Sequence, residues 1–264
     1  MLKKGRQKKR FKAIGKAMLR HLRAFFELQN PEALHHFRIK VKKMRALLLF
    51  LQDGVQDKYE AGLLKSLQSI FKHAGRIRSA HINIGLLIQY PVTDPTFKIE
   101  QENIEKNEIE HFCAKRDAYI KSVKLISKAL SDTFRDIDDK EILTLYKKRI
   151  KKLARFFERP SLDIHKLHKT RKKIKNLLYL YRILPKSLVR KLDLNDAYLE
   201  HLQEAIGKWH DVVLPLELLK TEGYENRSEI AAIHREKRRL YRSVQTLSNN
   251  FGREVGKIAS SRLN

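Results

Sequence analysis

Histidine, arginine and lysine recur at one spacing in two places along this chain. His35, Arg38, Lys42 and Arg45 stand at i, i+3, i+7 and i+10, and His168, Arg171 and Lys175 repeat the first three positions. On an α-helix such positions climb one edge, about 15 Å over ten residues. A line of this kind suits a polyanion. Arginine offers a planar fork of donors that matches phosphate oxygens, lysine a compact charge, and histidine an N–H whose pKa a nearby anion would raise. Arg182 extends the second line by two turns, and Tyr179 lies close to it. No carboxylate occurs between Ile164 and Leu192, nor before Glu27, so the charge is segregated as well as high. Clustered like charges destabilise an empty protein, which favours an anion as the usual occupant.

The helix that must carry the first line has an apolar seam beside it. Leu34, Phe37, Val41, Met44, Leu48 and Leu51 fall in an arc of about 100°, and the basic residues in an adjacent arc of about 80°. The stripe therefore borders the buried face and should line a groove between helices. The period is helical nearly throughout, without a convincing alternating strand run. Helices are expected over about 6–29, 31–52, 57–89, 96–132, 137–158, 162–184, 192–220 and 225–253. Asn30-Pro31 reads as a helix start, Pro91 and Pro95 bracket a linker, and Pro160-Ser161 and Pro185 mark breaks. Long helices with short connections favour antiparallel bundles, and eight helices suggest four plus four.

The two halves align. At a shift of 133, residues 31–51 and 164–184 share seven identities in 21 positions, among them Leu34/Leu167, His35/His168, Arg38/Arg171 and Lys42/Lys175. At a shift of 132, Leu67 meets Leu199, Gly75 meets Gly207, and Arg78 meets His210. Two blocks in the same order imply an internal duplication, with repeats of about 6–132 and 137–254 and a pseudo-twofold relation. Gly75 and Gly207 read as close-packing positions.

Composition bounds the partners. The 264 residues carry 57 Lys and Arg against 30 Asp and Glu, a net charge of +27. Nucleic acid, an anionic membrane surface and a free polyanion are the candidate partners. One cysteine, Cys113, excludes an internal disulfide. The longest apolar run, Ala46–Leu51, is too short to span a bilayer, so a soluble cytoplasmic protein without a transmembrane segment is expected.

The segment HHFRIKVKKMRALLLF resembles the first signature of the CHAD family, the conserved histidine α-helical domain, and LHKTRKKIKNLLYLY resembles its second. AGRIRSAHINIGLL and LQEAIGKWHDVVLPL resemble the family's turn in each half. The resemblance spans essentially the whole chain as a single domain, 1–264. It implies an all-α fold of two four-helix bundles related by duplication, with long antiparallel helices and a basic surface or channel. It implies binding of inorganic polyphosphate, with phosphate or sulfate able to occupy the site, and location at polyphosphate granules. Many members are fused to a CYTH triphosphatase domain; this chain lacks an E-x-E-x-K pattern and looks like a stand-alone member. The implied contacts are His35, Arg38, Lys42, Arg45, His168, Arg171, Lys172 and Lys175. Arg78 and Tyr179 match family positions, and Lys148, Arg149 and Lys152 belong to a dense basic run on the fifth helix. Two positions depart from the pattern: Ser79 stands where Asp is usual, and Leu178 where Arg is usual, leaving Arg45 without a basic twin.

Other readings are weaker. RNA or DNA binding would use the same charge, but no helix-turn-helix, RNP, KH or zinc-knuckle signature is present. Phosphoanhydride chemistry with His35 or His168 as acceptor would want Mg²⁺ held by carboxylates, which the stripes lack. His35-His36 and the His165/His168 pair have no further ligand at metal spacing. Neither an enzyme, nor a cofactor, nor a metal site is therefore expected, and the oligomeric state is open.

Overall fold

The computed structural model describes residues 1–48, 58–89, 95–129, 134–159, 162–221 and 228–256. Leu51, Pro91 and Pro160-Ser161 lie outside them. Among the described residues the secondary structure is helical, with isolated β-bridges between Leu2 and Ile137 and between Leu194 and Gly256. The chain divides into two compact units.

The N-terminal unit, Lys3–Arg135, holds α1 (Lys4–Leu28), α2 (Pro31–Leu48), α3 (Lys58–Gln89), α4 (Pro95–Cys113) and α5 (Arg116–Ala129). One face of α1 buries Phe11, Met18, Leu22 and Phe25; α2 buries Leu34, Phe37, Val41 and Met44. Each such side chain contributes about 1.5–3 kcal/mol on leaving water. Helix α1 ends on Gln29, in the left-handed region at φ 49°. The Asn30 side chain then accepts the Glu32 N–H at 2.9 Å, and Pro31 has no N–H to satisfy. This cap starts α2 where Asn30-Pro31 was expected to start it.

Helices α4 and α5 stand where one long helix was expected over 96–132. The break falls at Ala114 and Lys115, where the Lys115 N–H turns back to the Phe112 carbonyl at 3.2 Å. It brings Phe112 and Tyr119 together around His73 of α3. The His73 ring lies 4.9 Å from Phe112, and its Nδ1 sits 2.7 Å from the Tyr119 hydroxyl.

The second unit, Met1–Leu2 with Asp136–Asn264, holds α6 (Asp139–Phe157), α7 (Ile164–Tyr181), α8 (Lys186–Leu192), α9 (Asp196–Thr221), α10 (Ser228–Asn249) and α11 (Phe251–Glu254). Leu2 joins it through paired backbone hydrogen bonds with Ile137 at 2.8 and 3.1 Å. Ile142, Tyr146, Ile150, Leu153 and Phe157 form the buried stripe of α6. The Tyr146 hydroxyl donates to the Leu177 carbonyl at 3.1 Å, tying α6 to α7. Asp163 caps α7 by accepting the Lys166 N–H. Helix α9 packs on both α7 and α10 and buries Leu199, Leu202, Ile206 and Trp209. No helix among the described residues is long and apolar enough to cross a membrane.

Candidate functional site

Helix α2 packs against α3, and its basic stripe lies along that contact. Arg45 Nη1 donates to Gln68 Oε1 at 2.8 Å. The Arg38 guanidinium lies 4.1 Å over the Phe71 ring, and Lys42 Nζ is 6.0 Å from the same ring. Arg38 Nη1 donates to the Phe71 carbonyl and rests against the Cα of Gly75. Arg78 completes the row, near enough for its charge to act on both Arg38 and His35. The answering α3 positions are 68, 71, 75 and 78, spaced like the stripe itself and running the opposite way.

The α7/α9 contact is built on the same plan. The rings of His168 and His210 lie 4.2 Å apart. Arg171 Nε donates to the Gln203 carbonyl at 3.0 Å, with the guanidinium against Gly207. Arg182 Nη2 donates to Glu200 Oε2 at 3.1 Å. The α9 positions are thus 200, 203, 207 and 210, each 132 beyond its α3 counterpart. Leu178, aligned with Arg45, is 3% exposed. In this half Arg182, one turn further on, reaches the position that Gln68 marks in the other.

Burial and like charge depress the cations. His35 is held below its ordinary pKa, first by burial, with Arg78, His36 and Lys42 adding to it and Glu32 opposing. His210 is lowered first by burial and further by Arg171 and Lys172, against Asp211 and Glu217. Lys175 is lowered by burial, then by Arg171 and Arg182, with Glu200 and Glu204 opposing. Burial likewise raises the Tyr179 phenol, which stands within the influence of Arg171, Arg182 and Glu200. An incoming anion would oppose these shifts and favour the charged forms.

The remaining candidates divide. Arg78 joins the first stripe: its Nη1 is 3.9 Å from Glu32, and its buried Nε has no hydrogen-bond acceptor. Lys172 is exposed and bears on His210. On α6, Arg149 is half-buried beside Tyr146, and Lys148 and Lys152 are exposed. No hydrogen bond or ion pair among the described residues joins these three to the α7 stripe. The answering residues Gln68, Phe71, Glu200 and Gln203 escaped the sequence reading, although the Gly75/Gly207 and Arg78/His210 correspondences pointed at their helices. Arg38 also faces a cavity of about 610 Å³ at α3 and α4, lined further by Lys72, Arg76 and Glu108, so its fork is not sealed off.

Fold and site define an all-helical basic protein that carries a cationic groove in each of two units. Residues 105–220 match the family model of the CHAD domain, a stretch that includes α7 and most of α9 but neither α2 nor α3. The fold is similar to the crystal structure of the CHAD domain from the plant Ricinus communis. That match has a TM-score of 0.61 and 17% identity, and covers 92% of this chain and 91% of that one. No curated protein sequence matches the chain. The family model and the fold agree in likening this chain to a CHAD domain.

Proposed function

We propose that this protein binds inorganic polyphosphate along its two stripes, His35–Arg38–Lys42–Arg45 with Arg78, and His168–Arg171–Lys172–Lys175 with Tyr179. The CHAD family is linked to polyphosphate binding. One observation carries the reading: a histidine and an arginine at the same spacing, the arginine held against the same carbonyl and glycine positions of the neighbouring helix, occur in both units. Rows of this length follow a linear chain of phosphates better than a single anion. Each unit carries its own stripe, and the pair reflects duplication of one ancestral unit. Association with polyphosphate granules follows from the same affinity, and Lys148, Arg149 and Lys152 add non-specific attraction.

The aromatic side chains favour polyphosphate over nucleic acid. None of the Phe, Tyr or Trp side chains whose burial is described is exposed, and the Phe71 face is covered by Arg38. Single-stranded nucleic acids are held by open stacking platforms as well as charge. A phosphate chain has no bases to stack. Binding is the whole of the proposed activity; the stripe helices bring no carboxylate pair for Mg²⁺, and Glu200 is engaged with Arg182.

Titration with long-chain polyphosphate across a salt series tests this reading. Affinity should fall steeply and log-linearly with salt, as release of counterions requires. A flat response would remove the rows of phosphate contacts.

A further inference from the structure

We infer that Gly75 and Gly207 are positioning residues of the anion site: each is the seat that fixes one stripe arginine in its ligand-facing pose. The inference rests on the polyphosphate reading and deepens it. A Cβ on Gly75 would collide with Arg38 Nη1, and would meet Cζ at 3.2 Å and Nη2 at 3.4 Å. A Cβ on Gly207 would lie 2.8 Å from Arg171 Nη2, 3.0 Å from Nε and 3.1 Å from Cζ. In both units the atoms that meet this Cβ belong to a guanidinium, the far end of a flexible side chain.

The seat has a second component. Each arginine donates to the carbonyl four residues before its glycine, Phe71 for Gly75 and Gln203 for Gly207. Those carbonyls belong to helix interiors, where an i+4 N–H already bonds them. The arginine is thus a supplementary donor, and its departure orphans no buried acceptor. Mid-helix glycine is itself unfavourable, by about 1 kcal/mol relative to alanine. Two glycines placed mid-helix against that preference, each under a guanidinium, point to the guanidinium as their reason. One N–H of each fork is spent on the carbonyl, and that bond fixes the guanidinium's angle; Arg38 also lines the cavity at α3 and α4. Fixing the fork lowers the entropy lost when phosphate binds.

The distinction from ordinary close packing is experimental. An alanine that merely filled a packed contact would lower stability. An alanine that unseats an arginine should leave stability level or slightly higher and weaken ligand binding. The full-length Gly75→Ala, Gly207→Ala and double variants are therefore compared with the parent by thermal melting and by titration with long-chain sodium polyphosphate. Each substitution should reduce affinity roughly tenfold, the worth of one charge-assisted hydrogen bond, with Tm unchanged or raised. In an Arg38→Gln background, Gly75→Ala should have no further effect on affinity, because the group it displaces is gone. Affinity equal to the parent's, or a full additional loss in the Arg38→Gln background, overturns the seat while leaving polyphosphate binding intact. A fall in Tm of several degrees with unchanged affinity assigns the glycines to packing and also overturns it. Failure of the parent to bind polyphosphate removes the reading beneath. Protection of the Arg171 Nε–H from hydrogen exchange, lost in Gly207→Ala, reports the seat without ligand.

Discussion

The His168 and His210 rings lie 4.2 Å apart across the contact of α7 and α9. Two imidazoles so close cannot both carry charge cheaply unless an anion joins them, and Arg171 and Lys172 already press the His210 pKa down. His35 is in the same position in the other unit, below its ordinary value through burial, Arg78, His36 and Lys42.

Polyphosphate affinity should therefore rise as pH falls from about 7.5 towards 6, because protonation is disfavoured in the empty site and favoured beside phosphate. Without ligand the sign reverses. A histidine whose folded pKa lies below its unfolded value of about 6.5 takes up fewer protons when folded, so stability falls as pH drops below that value. Titration and thermal melting over this range check both signs, and the double variant His35→Gln/His210→Gln should make each curve shallower, with His21 and His73 still contributing to the stability curve.

Arg38→Gln with Arg171→Gln should weaken polyphosphate binding by about a hundredfold, two charge-assisted contacts, while the helical circular dichroism signal persists. Both side chains donate to carbonyls of the neighbouring helix that the helix already satisfies, and otherwise pack on Gly75 or Gly207 and, for Arg38, on Phe71. Unchanged binding would place the ligand elsewhere.

Glu200 opposes the second stripe by pairing with Arg182 and by its pull on Lys175. Glu200→Gln should tighten binding by about threefold, within the worth of an exposed ion pair. Arg182→Ala should cost less than Arg45→Ala, whose guanidinium donates to the neutral Gln68 amide and has no ion pair among the described residues. Equal losses from the two arginine variants would argue against this asymmetry.

Tyr146→Phe serves as a control that alters no stripe side chain. It removes a buried hydroxyl from the Leu177 carbonyl and should cost about 1 kcal/mol of stability, with polyphosphate affinity unchanged.

The helical class was legible because periodicity and caps are local: Asn30-Pro31 starts α2 through a side chain two residues from its target. The break between α4 and α5 was not, since Ala114 and Lys115 carry no breaker; it is imposed by the packing of Phe112 and Tyr119 around His73. The stripes could be read from spacing on single helices. What lies across each groove could not. Gln68 and Glu200 are ordinary surface residue types whose meaning comes from the helix they face. Leu178 looked like a missing cation, yet it is buried, and the position across from Glu200 is taken by Arg182. The glycines were visible as aligned positions, but the guanidinium above each was a matter of tertiary structure.

The most direct test of the central claim is equilibrium competition on filters between long-chain polyphosphate and single-stranded RNA, at equal phosphate concentration and moderate salt. Polyphosphate should displace RNA from the parent protein, and Arg38→Gln/Arg171→Gln should erase that preference. RNA displacing polyphosphate would contradict the account.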